Sequence, residues 1–262
     1  MNAGKTASVC PGVAGSGRSG SAGVTIDEQM PPVARSNPPA FNVPAVVLVL
    51  LVVLAVVQAT RSFALTPAAD DWVLSEFAFI PGCYAEACAL FLDRNPGAEF
   101  WSPLSHAFLH GDWTHLGLNT VWLLAFGTPV ARRLGASGFL IFSAIGAVAG
   151  AATFYIFNSD LIVPVIGASG TVSALMGGAC RFAFGSMGRG GMAAARAPLL
   201  TIGQALRDRT ILFFILIFFV TNILTATGYS AFADGGAAVA WEAHVGGFLF
   251  GFLCLGLFER RR

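Results

Sequence analysis

Two side chains able to carry out acyl-transfer chemistry stand inside apolar stretches of this chain. Ser169 lies in Gly167-Ala168-Ser169-Gly170, and His244 lies in Ala243-His244-Val245-Gly246-Gly247. A hydroxyl or an imidazole is costly in hydrocarbon, and a polar residue kept there is a functional hypothesis by default. A serine hydroxyl is a weak nucleophile until a neighbouring base takes its proton, and a neutral imidazole is such a base. Glu242 is too near His244 in sequence to share its helix face, so the residues favour a dyad over a triad. His115 and Asn119 are spaced to share one helix face. Their side chains can donate to the oxyanion of a tetrahedral intermediate, where losing one donor typically costs about 3–4 kcal/mol. Ser169 also opens its apolar segment, and the free N–H groups at a helix start favour an anion.

These residues need elements to hold them, and composition says what kind. The 262 residues are 55% hydrophobic and only 11% charged, with mean hydropathy +0.71. A soluble domain carries roughly a quarter charged residues, so the chain reads as an all-α polytopic membrane protein. Residues 1–40 are rich in Gly, Ser, Pro and Ala without apolar periodicity, and read as a disordered tail ahead of a membrane domain over 41–262. Six spans are expected, at about 43–65, 112–131, 137–157, 169–186, 210–228 and 241–258. The first exceeds a signal-peptide core of roughly 7–15 residues and reads as a retained helix. The long connection after it holds Asp70, Asp71, Trp72, Glu76, Glu86 and Trp101, a mixture suited to short amphipathic helices on the bilayer surface.

Lys and Arg set the orientation. Lys5, Arg18 and Arg35, then Arg132 and Arg133, the arginines from Arg181 to Arg209, and Arg260–Arg262 all fall on one side of a six-span chain. Only Arg61 and Arg94 fall on the other. The positive-inside rule then puts both termini in the cytoplasm. The second, fourth and sixth spans enter from the outer face, which brings His115 with Asn119, Ser169 and His244 to similar depth. Gly247 and Gly251, with Gly170, Ala174 and Gly178, form small-xxx-small faces that let two helices approach closely in lipid. The cysteines are too dispersed for a disulfide framework or a zinc site. Cys83 and Cys88 can pair if their loop faces an oxidising compartment. No basic stripe suggests nucleic acid.

On these residues the chain resembles the rhomboid intramembrane serine proteases. The matching pieces are His106-Ala-Phe-Leu-His110, His115-x-x-x-Asn119, Gly167-Ala-Ser169-Gly170 and Ala243-His244-x-x-Gly247-x-x-x-Gly251. The resemblance covers about residues 43–258 and implies a six-helix bundle with a long membrane-surface loop between the first two helices. It implies Ser169 as nucleophile and His244 as general base. His115 and Asn119 match the oxyanion pair, and Gly170, Gly247 and Gly251 match the close-packing helix faces. Three positions depart from the family pattern: Trp101 is followed by Ser102 instead of arginine, Ala131 replaces an acid, and Ser173 replaces an aromatic that supports the histidine.

The expected activity is endoproteolysis, without cofactor, of single-pass transmembrane substrates near their extracytoplasmic ends, in a bacterial inner membrane or an organellar one. The scissile helix must unwind, since its own hydrogen bonds shield the carbonyl. One alternative is a catalytically inactive rhomboid-like protein that binds membrane clients. Another is a metal site from His106, His110, Asp112 and His115, but the His-Glu-x-x-His signature is absent.

Overall fold

In the computed structural model the described residues are 43–84, 88, 94–184, 196–226 and 239–259. The N-terminal tail, Glu86, Arg260–Arg262 and the far ends of the expected fourth and fifth spans lie outside them. Nine helices are labelled: α1 (Ala45–Phe63), α2 (Pro67–Phe77), α3 (Ala98–Ser105), α4 (Trp113–Trp122), α5 (Thr128–Phe157), α6 (Ser169–Cys180), α7 (Ile202–Ala205), α8 (Arg209–Ala226) and α9 (Trp241–Cys254). Among the described residues there is no strand, only an isolated bridge between Phe79 and Val165. Three helical runs there are long and apolar enough to cross a membrane: Ala45–Phe63, Trp113–Phe157 and Trp241–Phe258, with the shorter apolar Arg209–Thr225 beside them. The chain is an integral membrane protein.

The run Trp113–Phe157 has 45 residues, too many for one crossing, and the backbone divides it. A wide π turn at Leu123–Gly127 joins α4 to α5, and Gly135 adopts φ 75°, ψ 173° inside α5. That conformation suits a residue without Cβ. It falls in the short interval expected between the second and third spans, leaving two helical arms, each about 33 Å long at 1.5 Å per residue.

α6 lies at the centre. All of its residues after Ser169 are buried, and it packs against α5 and α9. It ends at Cys180, earlier than the span expected to reach 186. Arg181 explains the stop: its Nε donates to the Leu200 carbonyl at 2.7 Å and an Nη to that of Phe252 at 2.7 Å. The Leu200 N–H returns a bond to the Arg181 carbonyl at 2.8 Å. Arg181, expected only to set topology, therefore also pins the end of the central helix. The main core beside α6 includes Phe139, Phe142, Leu175, Phe182, Phe248 and Phe252.

The connection between α1 and α4 folds on itself. Thr66 caps α2 with its hydroxyl, and Pro67 occupies the first turn, where its missing N–H costs nothing. Arg61, at the end of α1, grips both carboxylate oxygens of Asp70 at 2.6 and 3.0 Å and donates to the His110 carbonyl at 2.7 Å. The Trp101 indole donates to Glu76 O at 2.9 Å, and Ser102 is fully buried. Cys83 and Cys88 form a disulfide.

Candidate active site

The segment that leads into α6 is held from outside. The Phe79 and Val165 backbones exchange two hydrogen bonds, at 3.0 and 2.8 Å, and Gly82 N–H donates to Leu161 O at 2.9 Å. Gly167 N–H donates to the His106 carbonyl at 3.0 Å, and Ala168 N–H donates to Nε2 of His110 at 3.4 Å. His106 and His110 are buried, so they act as struts beneath this turn. Burial holds both imidazoles well below their ordinary pKa, to about 4, so they stay neutral at ordinary pH.

Gly167 has φ 123°, a conformation that L side chains rarely adopt. A Cβ there would lie 2.8 Å from Nε2 of His115 and 3.6 Å from Oγ of Ser169. The hydroxyl and the imidazole edge thus border the same small space, which stays open because residue 167 has no side chain. Ser169 follows Ala168, whose side chain caps none of the first N–H groups of α6. Those N–H groups suit a developing oxyanion.

His115 and Asn119 lie on α4, which Asp112 caps by accepting from the His115 N–H at 2.8 Å. The His115 Nδ1 accepts from Gly111 N–H at 3.4 Å. An N–H can only donate, so in the neutral ring Nδ1 carries the lone pair and Nε2 carries the proton. The donor therefore faces the space beside Gly167. Asn119 is buried and gives one amide N–H to the His115 carbonyl at 3.0 Å, leaving its second N–H to donate elsewhere. Among the described residues no three His, Cys, Asp or Glu side chains group as a metal site.

α9 brings His244 by backbone contact. A Cβ on Gly247 would overlap the carbonyl of Gly170, and one on Gly251 would overlap the carbonyl of Ala174. The two contacts advance together along both helices, so α6 and α9 run parallel. His244, one turn before Gly247, therefore lies level with the residues that lead into Ser169. Gly170 lends its backbone to this seam; a Cβ of its own would find its nearest neighbours at 3.8 Å. Glu242 is turned away, accepting from the Asn158 amide at 3.2 Å.

One neighbour of His244 went unnoticed in the sequence. Nδ1 of His244 is 2.7 Å from Oδ1 of Asn222, a buried residue on α8. The signal was available: an asparagine inside the apolar α8 is the kind of intramembrane polar residue that marks a site.

Comparison with known proteins places the chain in a family. The family model described as the Rhomboid domain matches residues 97–261. Human Rhomboid-related protein 3 is 37% identical over 79 residues, 30% of this chain and 19% of that protein. Rhomboid protease GlpG of Serratia proteamaculans (strain 568) is 32% identical over 85 residues, 32% of this chain and 30% of that protein. Rhomboid protein 1, mitochondrial, of Saccharomyces cerevisiae (strain ATCC 204508 / S288c) is 35% identical over 80 residues, 29% of this chain and 23% of that protein. The matched stretch spans less than a third of each of these relatives. With the domain match extending from α3 past α9, the chain belongs to the rhomboid family.

Proposed function

We propose that this protein is an intramembrane serine endopeptidase working through Ser169 and His244. In this reading the Ser169 oxygen attacks a substrate carbonyl while Nε2 of His244 accepts its proton. The oxyanion is met by the free N–H groups at the start of α6, by Nε2–H of His115 and by the Asn119 amide. His244 then returns the proton to the leaving amine as the C–N bond breaks, and water hydrolyses the acyl-enzyme by the same route in reverse. The observation that supports the reading most is the parallel seam of α6 and α9, whose backbone contacts at Gly170 and Ala174 bring the opening turns of the two helices side by side.

The wider assignment follows the charge pattern. Six spans hold both termini in the cytoplasm of a bacterial inner membrane, and 41–262 form the membrane domain. The openings of α4, α6 and α9 face the extracytoplasmic side, where water reaches the site. The Cys83–Cys88 disulfide supports that side for the first loop, since disulfides persist in oxidising compartments. Single-pass transmembrane proteins are the substrates, cut near their outer ends at helix-destabilising residues.

Purified protein in detergent, given a model transmembrane substrate, tests the dyad. Wild type is expected to cleave, and Ser169→Ala and His244→Ala are expected to be inactive. Cleavage that survives Ser169→Ala would overturn the serine mechanism. Client binding without cleavage in every form would favour the inactive, client-binding alternative.

A further inference from the structure

The base proposed above needs more than proximity: its lone pair must lie on the nitrogen that faces the hydroxyl. The hydrogen bonds around Asn222 decide which nitrogen that is. Its Nδ2 donates to the Phe218 carbonyl at 2.7 Å, and a carbonyl can only accept. The amide is therefore locked with Oδ1 towards His244. That oxygen also only accepts, so the Nδ1 atom 2.7 Å away must carry the ring proton. In the neutral ring, Nε2 is then left with the lone pair.

The contact is part of a built joint. Asn222 is 7% exposed and buried against its own helix and α9. One turn away on each helix, Phe218 and Phe248 stack with ring centroids 4.4 Å apart. Phe218, which receives the amide proton of Asn222, thus also anchors α8 to α9 beside the histidine. The result is an aromatic clasp and a polar clasp in adjacent turns of two antiparallel helices. The two imidazoles near Ser169 end with opposite roles: His115 presents a proton at Nε2, and His244 presents a lone pair.

We propose that Asn222 is the positioning residue of the dyad, selecting the His244 tautomer with Nδ1–H and holding the ring so that Nε2 serves as base. The inference rests on the dyad reading, and it assigns α8 a part in the chemistry. Asn222 touches no reacting atom; it acts through His244. An amide does this work as a neutral acceptor.

The test compares wild type, Asn222→Leu and Asn222→Asp in detergent. Leucine keeps the number and branching of the heavy atoms but removes the acceptor, and aspartate keeps an oxygen towards Nδ1. Cleavage kinetics, the rate of Ser169 labelling by a fluorophosphonate and thermal unfolding are measured together. Asn222→Leu is expected to lower kcat by about 100-fold with KM little changed, short of the roughly 10⁴-fold loss when a triad carboxylate is replaced and the tautomer is wrong. Labelling should slow in parallel, and Asn222→Asp should retain most of the activity. Full kcat in Asn222→Leu, or equal losses in both variants, would overturn the proposal. Nitrogen-15 spectra of labelled histidine, assigned with His244→Ala, read the tautomer without catalysis. If wild type proves inactive but His244 carries its proton on Nδ1 and loses that preference in Asn222→Leu, the orienting role stands while the protease reading falls. A proton on Nε2 in the wild-type protein would overturn the orienting role itself.

Discussion

At the scale of single residues, Gly167 makes the strictest demand. Its φ of 123° and the 2.8 Å from a would-be Cβ to the His115 ring leave no place for a methyl group. Strain of this kind costs about 1–3 kcal/mol. Gly167→Ala is therefore expected to abolish fluorophosphonate labelling of Ser169 while lowering the melting temperature only modestly, and labelling with a thermal melt checks both. Asn119→Ala removes one proposed oxyanion donor and should lower kcat about 100- to 1000-fold with little change in KM, as measured by steady-state cleavage. Residue types and spacing made Ser169, His244, His115 and Asn119 legible as candidates in the sequence. Asn222 was not, because its partner is on another helix and its role depends on a register that no local pattern encodes. Ser173 is the counterpart: the resemblance implies an aromatic support at that position, whereas here Ser173 is buried in α6 and an amide reaches the imidazole from α8.

At the scale of elements, the seam between α6 and α9 is backbone on backbone. Gly251→Val would drive a side chain into the Ala174 carbonyl, and overpacking of this kind costs about 1–3 kcal/mol. A lower melting temperature and slower Ser169 labelling are expected together, whereas Gly170→Ala, with room around its Cβ, should be milder. The small-xxx-small spacing made this contact readable, since close helix approach in lipid needs small residues. The length of α6 was not readable, because hydropathy continues past Cys180 and the stop comes from Arg181 bonding to carbonyls of Leu200 and Phe252. The folding of the α1–α4 connection was equally hidden, since Arg61, Trp101 and Tyr84 bond to backbone carbonyls distant in sequence.

At the scale of the whole molecule, stability should depend on pH through the buried struts. His106 and His110 titrate near 4 when folded and near 6.5 when unfolded, so the unfolded chain binds more protons between those values. Stability is fully present above about 6.5 and falls as pH drops towards 4, by up to about 1.4 kcal/mol per pH unit for each histidine. Thermal melts at pH 7.5 and pH 5 check this; equal stability at both would contradict it. The order of the helices has a further effect, on timing during synthesis. α6 reaches the membrane well before α8 and α9, and its glycine face stays uncovered until α9 arrives to lie against Gly170 and Ala174. During synthesis Ser169 therefore enters the fold before Asn222 and His244, the two residues proposed to act on it. Under the proposed dyad, competence to cleave would be expected only once α9 has docked against α6, which ties the timing of activity to the seam of Gly170, Ala174, Gly247 and Gly251.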